Sequence, residues 1–115
     1  MFKKLLLLLI ITLPLTAYGD TLNKNDPILK VSVLGSNTVL LNGAEVSPNE
    51  LSAAFANAVK NSGTVWYYRE DGAGKPSPAS RQVIQMVIDH KLPISMSTKP
   101  DFSDYIDENG KPIPR

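Results

Sequence analysis

Residues 40–61, LLNGAEVSPNELSAAFANAVKN, decide the fold of this chain. Ser47-Pro48-Asn49-Glu50 is a helix start. The serine hydroxyl can accept from the amide three residues on, Glu50 can reach back to the amide of Ser47, and Pro48 gives up no donor that a helix needs. Leu51, Ala54, Phe55, Ala58 and Val59 then recur at spacings of three and four, which gathers them on one face of a helix over 48–61. Ser62-Gly63 ends it. Upstream, Asn42-Gly43 follows the alternating run 38–41, so a strand runs into a turn and the turn leads to the helix.

Working outward toward the N-terminus, Leu29, Val31 and Val33 alternate with Lys30 and Ser32, the pattern of a strand with one face on a core. Gly35-Ser36-Asn37 turns the chain into the 38–41 strand, and the short separation makes the two an antiparallel hairpin. Toward the C-terminus, 64–69 (TVWYYR) is a dense β-branched and aromatic strand, followed by a Gly- and Pro-rich loop over 70–78. Ser77-Pro78 repeats the Ser-Pro helix start, and Val83, Ile84, Val87 and Ile88 form the apolar face of a second helix from Pro78 to His90. Ile94 and Met96 alternate with Ser95 and Ser97 in a last short strand. The order β-β-α-β-α-β, with one apolar face per helix, predicts a two-layer α+β sandwich: a mixed sheet with two helices on one face and the other face open. Strands such as 28–33 and 94–97 are expected at its margins.

The ends of the chain differ from this middle. Lys3-Lys4, an apolar run over 5–15 and Ala17-Tyr18-Gly19 have the layout of a secretory signal over 1–19. An uncleaved membrane anchor is the alternative, since the run is only somewhat shorter than the ~20 apolar residues of a spanning helix. Residues 20–27 read as a flexible lead-in, 28–98 as the domain, and 99–115 as a polar tail with a turn at Asn109-Gly110.

Cleavage after Gly19 would take two lysines from the 12 Lys+Arg and no acid from the 11 Asp+Glu, leaving 10 − 11 = −1. Without a basic field, the sequence-independent attraction that supplies most nucleic-acid affinity is missing, so no nucleic-acid partner is expected. With no cysteine, the chain has no disulfide framework and no thiolate metal site.

No constellation of catalytic residues emerges. Gly72-Ala73-Gly74-Lys75 fails as a phosphate loop, because Arg69 stands where its first glycine belongs and Pro76 where Ser or Thr belongs. His90, the only histidine, falls in the last turn of a helix, where a cation favours the dipole, and it has no partnered nucleophile in view. Asp101, Asp104, Asp107 and Glu108 are spaced by threes rather than at the alternate positions of a calcium loop. Neither a metal nor a cofactor is expected. Trp66 and Tyr68 point to one side of their strand and Tyr67 to the other, so an aromatic side chain should project from the open face as a partner contact, with core packing as the plainer reading.

Taken together, ILKVSVLGSNTVLLNGAEVSPNELSAAFANAVKN, the strand TVWYYRED, the helix RQVIQMVIDHK and the strand LPISMST resemble the periplasmic domain of the ExbD/TolR family of biopolymer-transport proteins, over about 28–98. That resemblance implies a domain that dimerises and engages energy-transducing partners or the cell wall, beside a proton-channel subunit. Family members carry a membrane-embedded aspartate, whereas no Asp, Glu, Lys, Arg or His lies between Lys4 and Asp20 here. An intramembrane carboxylate is what proton transfer through a bilayer requires.

The expected function is therefore a non-enzymatic, exported (periplasmic or secreted) binding module. Its partner would be an envelope protein, cell-wall material or a second copy, engaged through Trp66 and Tyr68 or by strand addition along Ile94, Ser95, Met96 and Ser97. A membrane-anchored accessory subunit of an ExbD/TolR-like complex, with its domain facing the periplasm, is the second reading, and a small hydrolase the third.

Overall fold

The computed structural model describes residues 28–72 and 74–115, so the signal and lead-in readings of 1–27 lie outside the described residues. The elements are β1 (Ile28–Val33), β2 (Val39–Leu41), β3 (Ala44–Glu45), α1 (Pro48–Lys60), β4 (Thr64–Arg69), α2 (Pro78–His90), β5 (Ile94–Ser97), β6 (Asp104–Ile106) and β7 (Pro112–Pro114). The fold is α+β, with a mixed five-stranded sheet in the order β3-β2-β1-β4-β5 and both helices on one of its faces.

The capping box at the start of α1 is formed in full: Glu50 N donates to Ser47 Oγ at 3.1 Å and Ser47 N to Glu50 Oε1 at 2.8 Å. Ser77 caps α2 by accepting from Ser80 N at 3.1 Å. At the far end of α1, Gly63 N donates to Ala58 O at 2.8 Å, and a Cβ on Gly63 would lie 2.8 Å from the Ala58 Cβ. Only glycine lets the chain leave the helix so closely.

Asn42-Gly43 does more than turn the chain toward the helix. Both residues have positive φ, 51° and 88°, and they join β2 to a short β3 as a two-residue hairpin, with Leu41 opposite Ala44. Positive φ at both central positions is the type I′ requirement that Asn-Gly meets at least strain.

The core lies between the sheet and the helices. Leu29, Val31 and Val33 of β1, Val65 and Tyr67 of β4 and Leu41 of β2 meet Leu51, Phe55 and Ala58 of α1 and Val83 and Val87 of α2. Two residues expected on the helix faces stay outside: Val59 is 49 % and Ile88 59 % exposed. Their neighbours Ala58 and Val87 in the same turns are buried, so each lies on the flank of its helix's apolar stripe.

Two expectations are corrected. β1 is not a margin, because its hairpin sets β2 on one side and the α1 crossover sets β4 on the other, so it is paired along both edges. Residues 99–115 are not a loose polar tail. β6 and β7 form an antiparallel hairpin in which Tyr105 opposes Ile113, closed by the expected turn with Gly110 at φ 82°. Arg115 N donates to Ser103 O and Asp107 N to Lys111 O, both at 2.9 Å. That spacing turns positions 112 and 114 away from the partner strand, where proline's missing N–H costs nothing.

Candidate functional site

The sheet register stacks two rows of side chains on the face away from the helices: Lys30, Trp66 and Ser95 in one, Ser32, Tyr68 and Ser97 in the next. This is the face expected to stay open. The β6–β7 hairpin packs on it instead. Phe102, buried at 7 % exposure, lies with its ring centroid 6.5 Å from that of Trp66 and 6.4 Å from that of Tyr68. The Arg115 guanidinium carbon stands 3.7 Å from the centroid of the Trp66 ring, and Lys30 Nζ lies 5.6 Å from it.

Hydrogen bonds fasten the same contact. Arg115 Nε donates to Phe102 O at 2.9 Å, and Arg115 donates from one terminal nitrogen to Ser95 Oγ and Ser97 Oγ at 3.1 and 3.0 Å. Ser97 Oγ donates to Asp104 O at 2.9 Å, Thr98 N to Asp104 Oδ1 at 2.9 Å, and Thr98 Oγ1 to Asp104 Oδ2. The Thr98 hydroxyl, helped by the Thr98 amide and by Lys99, holds the Asp104 carboxyl below its ordinary range, against the opposing effect of desolvation. Ser95 and Ser97 therefore face the hairpin rather than an incoming partner, and Trp66 and Tyr68 are half-buried beneath it.

Ile94 and Met96 are different. Among the described residues β5 is paired only with β4 in the sheet, and both side chains are 37 % exposed on the helix side. Val65 N donates to Pro93 O at 2.9 Å, and Val65 stands opposite Ile94 in the parallel register. In such a ladder the next bonds run between β4 and Ser95 and Ser97, which leaves the amides and carbonyls of Ile94 and Met96 pointing away from the sheet. Of the six residues expected to contact a partner, these two turn their main chain away from β4, and β6 lies against the C-terminal end of the same edge, where Thr98 N donates to Asp104 Oδ1 at 2.9 Å.

Beside that edge, between the C-terminal halves of β4 and β5 and the first turns of α2, lies a groove of about 980 Å³. Tyr67, Ile84, Met96 and Ile106 line its apolar part, and Arg69, Glu70, Arg81 and Thr98 its outer end. The Tyr67 hydroxyl and Ser80 Oγ share a buried 2.7 Å hydrogen bond at its floor. Glu70 is tied back by the Gly35 amide, which donates to Oε1 at 2.6 Å. Arg69 donates to Gly72 O at 2.9 Å and Gly74 O at 3.1 Å, bracing the 70–78 loop, and Arg81 donates to Pro76 O at 2.8 Å. Sequence reasoning missed this groove. Its one usable signal was two arginines flanking a Gly- and Pro-rich strand-to-helix loop.

The only histidine is engaged structurally: His90 Nδ1 lies 2.8 Å from the Met86 carbonyl, and the ring meets Phe55 edge-on at 5.9 Å. Among the described residues no group of three or more His, Cys, Asp or Glu side chains is placed to hold a metal ion, and no helix is long and apolar enough to cross a membrane. No protein-family model, no curated protein and no solved structure matches the chain.

Proposed function

We propose that this chain is an exported, non-enzymatic interaction module that engages an envelope partner, or a second copy of itself, by strand addition at β5. The observation that carries this reading is that Ile94 and Met96 turn their main-chain groups away from β4 beside exposed apolar side chains, with β6 against the Thr98 end of the strand. An unpaired edge is costly to leave bare, and proteins that keep one commonly use it as a binding surface. The opposite margin is a two-residue strand, Ala44–Glu45, too short to offer a comparable ladder. Export rests on the signal-like layout of residues 1–19, and the envelope setting on the resemblance to ExbD/TolR periplasmic domains.

Proline at position 96 tests this, because the Met96 amide makes no bond to β4 and its loss should leave the fold intact. Immobilised wild-type chain and its Met96→Pro variant are exposed to the same envelope extract. Partners held by the wild type and lost by the variant are the expected result. Equal retention by both overturns strand addition at this edge.

A further inference from the structure

The groove over β4 and β5 is bounded by the sheet, α2 and β6. Tyr67 and Met96, paired across the two strands, line it from the sheet, Ile84 from α2 and Ile106 from β6. Because Asp104 holds β6 against the Thr98 end of β5, this hollow is walled off where a further strand would have to enter. Its volume of about 980 Å³ falls within the roughly 300–1,000 Å³ of small-molecule sites, which are likewise mostly apolar with a few placed polar groups.

The polar groups of this hollow hold unused donors. Among the described residues, Arg69 and Arg81 donate only to main-chain carbonyls, and neither forms an ion pair with a carboxylate. Each guanidinium has five N–H donors, so most of that capacity is left for a ligand. Glu70 gives its Oε1 to the Gly35 amide just past β1, and two arginines against one glutamate leave the lining one positive charge. At the floor, Tyr67 and Ser80 share one hydrogen bond between two hydroxyls, and neither has a further partner among the described residues. Two hydroxyls carry two protons and the shared bond uses one, so a buried O–H remains to donate.

An apolar hollow with a net positive end and spare donors matches a ligand that has an aliphatic body and an acceptor-only head. One excess positive charge suits a monoanion, and the planar fork of a guanidinium suits a carboxylate, which it binds through charge-assisted and, at best, bidentate hydrogen bonds. We propose that the groove binds a small amphipathic carboxylate, its head at Arg69 and Arg81 and its aliphatic chain along Ile84, Met96 and Ile106. The spare proton of the Tyr67–Ser80 pair adds a donor for a ligand oxygen. This site goes beyond the interaction-module reading and does not depend on strand addition at β5.

Methyl chemical shifts of the labelled full-length chain, followed while decanoate is added, test it. Decanol carries the same chain without the charge, and acetate the charge without the chain. Decanoate should move the Ile84, Met96 and Ile106 signals and bind about tenfold more tightly than decanol, the scale of a hydrogen bond to a charged group. Acetate, which lacks the methylenes to be buried, should bind more weakly than decanoate. Arg81→Gln, at an exposed position where the fold should be kept, should weaken decanoate about threefold and leave decanol unchanged, while Arg81→Lys should retain most of the affinity. Arg81 is the better site to vary, because Arg69 also braces the 70–78 loop. Equal affinities for decanoate and decanol, or decanoate binding indifferent to Arg81→Gln, would overturn the placing of a carboxylate at the arginines. Shifts that spare Ile84, Met96 and Ile106 would overturn the groove as the site, and absence of decanoate binding overturns the proposal.

Discussion

The Arg115 guanidinium carbon sits 3.7 Å from the centroid of the Trp66 ring, 49 positions away in the chain (115 − 66), and caps the sheet face that carries no helix. A cation over an indole face is held by the ring quadrupole and, at a partly exposed site, contributes on the order of 1 kcal/mol. Through its bonds to Phe102 O, Ser95 Oγ and Ser97 Oγ the same side chain ties the β6–β7 hairpin to β5.

Arg115→Ala should therefore loosen the hairpin without unfolding the sheet and helices. Trp66 is the only tryptophan, so its fluorescence reports on this contact directly. A red shift of the emission, with an unchanged far-ultraviolet dichroism spectrum, is expected. Emission identical to the wild type would mean that Arg115 does not cover the ring in solution.

Acid should release the same hairpin. The Asp104 carboxyl is lowered from its ordinary value of 3.8, first by the Thr98 hydroxyl, and Asp101 is lowered by Ser103. A carboxylate whose folded value is depressed adds stability that is present above its unfolded value and lost as pH falls through the folded one. Trp66 emission should thus be flat through neutral pH and change only below the ordinary carboxylate value. Asp104→Asn should remove most of that acid transition and weaken the docked hairpin at neutral pH. A variant that titrates like the wild type would contradict the assignment to Asp104.

Phe55 is fully buried between α1 and the sheet and touches His90 edge-on. Truncating a buried phenylalanine costs about 3–5 kcal/mol, against a total of about 5–15 kcal/mol for a domain. Phe55→Ala should lower the thermal midpoint steeply or prevent folding. Ile88→Ala, at an exposed apolar position of α2, should be close to neutral. Similar melts for the two variants would place the core elsewhere.

How far the sequence could be read varies along the chain for physical reasons. Ser47 and Glu50 declare α1 because a capping box is a local device, complete within four residues. The alternation of Leu29, Val31 and Val33 likewise carries its own face assignment. The strand order and the hairpin 104–114 were not legible in the same way. Phe102 stands in a polar stretch, and its burial depends on Trp66 and Tyr68, distant in sequence. Pro112 and Pro114 argue against a strand unless the pairing that turns them outward is already known. Of the candidate contacts, Ile94 and Met96 turn their main chain away from β4, whereas Ser95 and Ser97 take their partners from Arg115 and Asp104, which no local pattern signals.

The central claim, that β5 receives an added strand, is tested most directly by amide hydrogen exchange at consecutive β5 residues. In the free chain the amides of Ser95 and Ser97 should be protected by β4, while those of Ile94 and Met96 exchange quickly. Adding the fraction of envelope extract retained by the immobilised chain should protect Ile94 and Met96 and leave Ser95 and Ser97 as they were, an alternation that only strand addition at this edge produces. Protection gained solely in the 70–78 loop or the 99–115 hairpin, with Ile94 and Met96 still exchanging quickly, would contradict it.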